Sequence, residues 1–249
     1  MPLTFAHPAA VLPFSRKSNY IHFSAMVLGS MAPDFEYFLR GQPSGEIGHT
    51  FFGFLYFNLP LVTIIYMIHH FFIHQILVTH LPSSLQDSYT KKSDASQPLK
   101  FIVFCYSALF GMLTHVIWDS FTHMNGYMVM KFPIFNYMFN VYGLDIPFYK
   151  FLQHGSTLFG ITMIIGYLYF RGSSQNKQKN LSVYPKQKFI FWSSIILLTI
   201  LSVILWFLID YVSIRSYGII VVRIIDSALM SLFLISLFFK YRQLKANQV

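Results

Sequence analysis

The chain has one cysteine, Cys105, in 249 residues, so no internal disulfide framework can form and the redox compartment stays open. Charge is nearly as scarce. Asp and Glu together number nine, and charged residues make up 11% of the chain against 55% hydrophobic and 19% aromatic. A soluble domain normally carries about a quarter charged residues. This shortage, with a positive mean hydropathy, excludes an ordinary water-soluble domain and predicts an integral membrane protein. The amino terminus, "MPLTFAHPAAVLPF", also lacks a basic n-region followed by an h-region and cleavage site, and His7 interrupts its apolar core. We read it as part of the mature protein. No basic stripe is interleaved with exposed aromatics, so the net charge of +9 is assigned to loops facing anionic lipid headgroups, and nucleic acid is not expected as a partner.

Long apolar runs are what the chain does have. Four reach the roughly 20 residues that cross a bilayer, at about 51–73, 101–121, 189–212 and 218–239, and a shorter fifth lies at 156–170. The expectation is an all-α, polytopic integral membrane protein with about five transmembrane helices and a helical amino-terminal region. Polar linkers fall at 82–100 and 171–188, and no internal repeat is found. The chain then divides into 1–165, with the first three spans and the ionisable residues, and 166–249, with a polar loop and the last two spans.

Orientation follows from the flanking cations. One side holds Lys91, Lys92, Lys100, Arg171, Lys177, Lys179, Lys186, Lys188, Lys240, Arg242 and Lys245; the other holds Arg16, Lys17, Arg40, Lys131, Lys150 and Arg215. The bias makes the first side cytoplasmic, carboxy terminus included, and places the amino terminus outside a plasma membrane.

On that outer side the same topology gathers His7, Asp34, His49, His115, Asp119, His123 and His154. "LTHVIWDSFTH" (113–123) spaces two histidines and an aspartate four apart, so on a helix His115, Asp119 and His123 fan over roughly 80° of one face. A lone interior histidine is commonly just hydrogen-bonded, but Asp119 changes the reading. A carboxylate costs about 2.5 kcal/mol or more at a membrane helix centre, less toward the interface, and so takes a partner or a cation. No Lys or Arg lies between Lys100 and Lys131. A metal ion would neutralise Asp119 and use both flanking imidazoles.

Two further stretches point the same way. "VLGSMAPDFEYF" (27–38) places Asp34, then Glu36, after a Gly and Pro break, and "GEIGHTFFGF" (45–54) places His49 just before the first span. Imidazole with carboxylate suits Zn²⁺ best, with Mn²⁺ or Fe²⁺ as alternatives. His69, His70 and His74, at the other end of the first span with His80 beyond, have no accompanying carboxylate and are read as an interfacial cluster. Arg223 and Asp226, three apart in the last span, are read as a structural ion pair.

The stretches "PLTFAHPAAVLP", "GSMAPDFEYF", "GHTFFGFLYFNLP", "HVIWDSFTH" and "LQHGST" resemble an uncharacterised family of bacterial membrane proteins, domain of unknown function 4184, over most of 1–165. A more distant likeness runs to membrane-bound metal-dependent hydrolases and to the zinc-dependent phospholipase C and P1 nuclease superfamily. That likeness implies one zinc on Asp34, His49, His115 and Asp119, a second reached by His7 and the other oxygen of Asp119, and His123 serving a third. The chain departs from the superfamily in two places: residue 1 is Met where an amino-terminal Trp amine ligates, and His154 is followed four residues on by Leu158 where a Glu is expected. One or two zinc ions are therefore expected.

The chemistry so implied is hydrolysis of a phosphoester or a phospholipid-like substrate, with Asp34 or Glu36 orienting or deprotonating water. Two other classes stay open. A haem-binding electron carrier would pair histidines such as His115 with His154, but would leave Asp119, Asp34 and His49 unused. A metal-stabilised structural protein or transporter would keep the ligands but close the coordination shell. The sequence leaves the oligomeric state open.

Overall fold

The computed structural model describes residues 3–86, 96–173 and 183–246. Lys91, Lys92, Lys177 and Lys179, which enter the charge bias above, lie outside the described residues. The fold is mostly helical, in two compact units that the chain enters alternately: Met1–Asp34, Ile47–Thr63 and Lys91–Leu168 form the first, and Phe35–Glu46, Ile64–Thr90 and Tyr169–Val249 the second.

In the first unit, a 3-10 helix at Thr4–Val11 is followed by helix α1 at Phe23–Gly29. The His22 ring caps α1 by accepting from the Ala25 amide, and the His22 amide donates to Ser107 Oγ at 3.0 Å, fixing where α1 starts. After a 3-10 turn at Ala32–Asp34 the chain leaves for the short helix α2 (Phe35–Arg40) of the second unit; the long helix α3 then runs from Phe51 to His80, in the first unit as far as Thr63. Thr50 caps α3 through the Gly53 amide. Two π-helical turns interrupt it, at Phe54–Asn58 and His69–Ile73.

Helix α4 (Gln97–Thr122) is the framework of this unit. Its buried residues, Phe104, Ser107, Ala108, Gly111, Met112 and His115, recur at helical spacing and turn one face inward. On that face α1 crosses closely: a Cβ on Gly111 would lie 2.2 Å from the Met26 carbonyl oxygen. Only a glycine admits that approach. Helix α5 (Tyr127–Lys131) and a hairpin follow; strands β1 (Met138–Val141) and β2 (Leu144–Pro147) pair antiparallel with Met138 opposite Pro147. Tyr142 and Gly143, both at positive φ, close it in a two-residue turn. This sheet departs from the all-α expectation; four-residue strands are too short to stand out in so apolar a chain. Helix α6 (Phe148–Ser173) then begins against the amino-terminal segment and α4: Leu3 N–H donates to Thr157 Oγ1, and Trp118 Nε1–H of α4 to Ser156 Oγ.

In the second unit, α7 (Pro185–Ile209) and α8 (Tyr217–Ala246) pack on each other. The core is Ile76, Phe191 and Ile195, walled by Leu77, Trp192, Leu232, Ile235 and Phe239. Trp192 Nε1–H donates to the His80 carbonyl and Lys188 to the Leu81 carbonyl. Arg223 does not pair with Asp226 as its spacing had implied; it pairs with Asp210 at the end of α7 and lies over the Trp206 ring. The guanidinium reaches backward along the chain, where the carbonyl and carboxylate of Asp210 offer two acceptors together.

Among the described residues, four helices are long and apolar enough to cross a membrane: Phe51–His80, Gln97–Lys131, Pro185–Ile209 and Tyr217–Lys245. The expected fifth span, 156–170, lies inside α6, which is not among them. Lys150, Gln153 and His154 at one end and Arg171 at the other leave an apolar run short of about 20 residues. Outward faces of the four remain apolar, as in Leu197, Ile200, Leu201 and Ile204 of α7, and suggest membrane association.

Candidate metal centre

Three segments of the first unit bring ligand atoms together. The 3-10 helix buries His7, and proline at position 8 removes an amide donor that would otherwise need a partner there. The turn at Ala32–Asp34 buries Asp34, and the stretch before α3 supplies His49. Gly48 makes the last approach possible: a Cβ there would stand 2.2 Å from the Pro33 carbonyl oxygen. Asn58, fully buried in the first π-helical turn, donates to the Gly48 carbonyl at 2.6 Å and braces it. The last turns of α4 contribute His115, Asp119 and His123.

Asp34, His49, His115 and Asp119 each offer one ligand atom, all within 4.8 Å of one another. His115 Nε2 lies 3.2 Å from Asp119 Oδ2 and 3.6 Å from Asp34 Oδ1; His49 Nε2 lies 3.6 Å from Asp34 Oδ1 and 3.8 Å from Asp119 Oδ2. Tetrahedral ligands at zinc bond lengths stand about 3.3 Å apart, and these four edges lie within about half an ångström of that value. The other Asp119 oxygen, Oδ1, faces His7 Nε2 at 3.5 Å and His123 Nδ1 at 3.4 Å. His7 also stacks on His115, with ring centroids 3.8 Å apart.

The hydrogen bonds around the cluster point the ligand atoms inward. His115 Nδ1 lies 2.8 Å from the Ser30 carbonyl, which can only accept, so that nitrogen carries a proton and a neutral ring presents a bare Nε2 to the carboxylates. Thr4 Oγ1–H donates to Asp34 Oδ2 at 2.6 Å, leaving Oδ1 toward the cluster. Asp34 Oδ1, Asp119 Oδ1, His115 Nε2 and both His7 ring nitrogens are buried without a hydrogen-bond partner. Protonating His115 would not cure this, because one Nε2 proton serves one oxygen. A divalent cation fits the whole donor set.

Burial, reinforced by the His115 ring, pushes the His7 pKa down to about 3, so His7 is a neutral, ligand-ready imidazole near neutral pH. Burial alone would raise the Asp34 carboxyl. In the metal-free protein a proton on His115 Nε2, which an ion would displace, and the Thr4 hydroxyl outweigh it and hold the group below the usual carboxylate range.

The remaining sequence candidates lie elsewhere. His154 is exposed on α6 and belongs to no ligand cluster among the described residues. Glu36 belongs to the second unit, where Arg40 Nη2 holds it at 2.7 Å and the Glu46 amide donates to it at 3.0 Å. Thr4, the Ser30 carbonyl and Asn58 were not singled out from the sequence. Their roles come from partners 30, 85 and 10 residues away, and only the nearness of Thr4 to His7 hints at one.

Fold and site together define a helical protein with membrane-length apolar helices and a buried cluster of histidine and aspartate ligands. The chain belongs to the family described as domain of unknown function (DUF4184), which matches residues 1–238. No curated protein and no solved structure matches it.

Proposed function

We propose that this is a membrane-embedded, metal-dependent hydrolase, with zinc as the favoured ion, acting on a phosphoester or phospholipid-like substrate. The observation that carries the reading is the set of buried, unpartnered ligand atoms on Asp34, His115, Asp119 and His7, with no Lys or Arg side chain paired to either carboxylate among the described residues. Asp34, His49, His115 and Asp119 would hold one ion, and His7, His123 and Asp119 Oδ1 a second. Bound zinc supplies Lewis acidity and brings the pKa of a water toward neutrality. The chain's part is to hold the donors: Thr4 fixes the Asp34 carboxylate and the Ser30 carbonyl fixes the His115 ring. With Oδ1 toward the ion and Oδ2 accepting from Thr4, Asp34 serves as a ligand and leaves no oxygen to take a proton from water. A sealed structural site is the rival, and His49 favours the open one: its side chain is 33% exposed, so the coordination shell has a side facing outward.

Five passes through a bilayer, with the site outside, fit the contacts at the helix ends. α6 starts beside Trp118, near the site, and its other end at Gly172 lies against the Ser84 carbonyl, just past the end of α3. α7 begins at that same end, through Lys188 and Trp192. At 26 residues α6 is about 39 Å long, so on this reading it crosses with its polar ends, Lys150 to His154 and Arg171, among the headgroups. On this reading the charge bias puts the carboxy terminus in the cytoplasm, and the resemblance noted above makes the membrane a bacterial plasma membrane.

Elemental analysis of protein purified in mild detergent, without chelator, tests the reading, beside hydrolysis of a chromogenic phosphodiester and of phospholipid vesicles. We expect about one or two equivalents of zinc or a similar metal, and hydrolysis that a chelator abolishes. Less than about a tenth of an equivalent after attempted reloading would sink it.

A further inference from the structure

The segment between the metal centre and α6 exposes a run of apolar and aromatic side chains. Between 124 and 144, ten large apolar or aromatic side chains are exposed; Tyr142 at the hairpin tip is fully so and Leu144 is 67% exposed. One cation, Lys131, interrupts them, and its ammonium turns to the Tyr127 hydroxyl at 3.1 Å and over the Tyr127 ring. A two-stranded hairpin is marginal in water, and an apolar one left open is a site of aggregation. Here the apolar surface continues directly from the span Gln97–Lys131, whose outward face is itself apolar. Tyrosines and phenylalanines with a flanking lysine make the composition of a membrane–water boundary, and Lys131 and Lys150 complement anionic headgroups.

We propose that this segment, the β1–β2 hairpin foremost, inserts into the boundary between headgroups and acyl chains and thereby sets the depth of the metal centre. This rests on the membrane-embedded reading but not on the metal. The mechanical link is visible. Phe139 packs on Phe148 and Phe151, Phe148 stacks on Phe135, and Phe135 meets Phe121 with centroids 5.9 Å apart. Phe121 lies in the α4 turn between Asp119 and His123, on another face of the helix. The chain also folds back tightly there: a Cβ on Gly126 would lie 2.5 Å from the Ser120 carbonyl oxygen. A hairpin held at headgroup level would therefore hold the ligand-bearing turn at the level of lipid phosphates.

The test places an environment-sensitive fluorophore at Tyr142→Cys, and separately at Leu144→Cys, in a Cys105→Ser background. The protein is reconstituted into phosphatidylcholine vesicles holding a minority of phosphatidylglycerol, with acyl chains brominated near the headgroup. A probe at Ser44→Cys, exposed after α2, is the aqueous reference. Quenching by the brominated lipid at least about threefold stronger at 142 and 144 than at 44 supports the proposal. Iodide quenching at all three positions alike, with no lipid quenching, overturns it. So does a cross-linked dimer through position 142, which would make a second copy the occupant. Metal content measured on the same vesicles is a separate outcome. Lipid quenching without metal keeps this inference and sinks the hydrolase; metal without lipid quenching does the reverse.

Discussion

Two regions of the chain neutralise carboxylates by different means. In the second unit Glu36 and Asp210 have built-in countercharges: Glu36 has Arg40 one turn along α2, and Asp210 has Arg223. In the first, Asp34 and Asp119 meet imidazoles and the Thr4 hydroxyl but no Lys or Arg among the described residues, and the Ser30 carbonyl turns His115 so that its neutral ring would present a lone pair. An arginine is a permanent cation and completes its pair; an imidazole is a base or a cation as its surroundings demand. The first arrangement is self-sufficient. The second is complete only with a cation from solution, and that difference separates a structural pair from a candidate binding site.

The sharpest way to break the comparison is Asp119→Asn. Volume is kept and the anion removed, so metal affinity should fall by more than the tenfold to hundredfold typical of losses one shell further out. If Asp119 were only a costly buried acid, the same change would lift a desolvation penalty. Stability would then stay the same or rise, with metal content unchanged. Thermal melts with and without added zinc, beside elemental analysis, read opposite signs for the two cases.

A smaller effect is expected one bond away. Thr4→Val removes the hydroxyl that fixes Asp34 Oδ2 while keeping the branched shape, and should weaken metal binding by about tenfold, with Thr4→Ser restoring it. Equal affinity in all three proteins, by competition with a chelating dye, would show that Asp34 is not oriented through Thr4.

How far such a site can be read beforehand depends on how local its geometry is. His115, Asp119 and His123 were legible as one face because a helix fixes the relation of residues four apart, and "MAPDF" was legible as a turn that aims a carboxylate. His7 and His49 were legible only through the resemblance and a topology that puts them at one end. Thr4, the Ser30 carbonyl and Asn58 were not, since a hydroxyl, a carbonyl and an amide carry no mark until their partners arrive from distant parts of the chain. Glu36 shows the opposite failure. Two residues from Asp34 it looked like part of the same site, but the chain leaves the 3-10 turn there and starts α2, which commits Glu36 to Arg40. In the same way α6 carries too many polar residues at its ends to announce its length, and the strands are too short to interrupt an apolar background.

Acid provides a third handle, on His7. Its folded pKa of about 3 lies below the 6.5 of an unfolded chain, so between these values the unfolded chain holds the extra proton. The contribution of neutral His7 to stability is therefore complete above about pH 6.5 and is lost as pH falls toward 3. In chelator-treated protein, moving from about pH 7 to about pH 5 should cost the wild type more melting temperature than His7→Gln, which has no such proton to take up. A parallel loss in the two proteins would mean that His7 is not buried as a neutral ring.

The smallest effect on the metal is expected at Glu36→Gln, and it tests the division between the two regions directly. The substitution removes the charge that Arg40 answers at 2.7 Å but keeps the side-chain length and an acceptor for the Glu46 amide at 3.0 Å. Arg40 is 38% exposed, so water takes over part of its solvation, and the cost should be about 1–3 kcal/mol, below that of orphaning a sealed charge. Metal content should be unchanged, because Glu36 supplies none of the clustered ligand atoms. If hydrolysis is detected, its rate at a temperature where both proteins are folded should also hold. If Glu36 instead handles the proton of the attacking water, the same variant will keep its metal and its melting temperature and lose turnover by about a hundredfold or more, the size of a general-base contribution. Measuring stability, metal and turnover on one preparation of Glu36→Gln separates the two, since a structural arginine pair moves the first alone and a catalytic base the last alone.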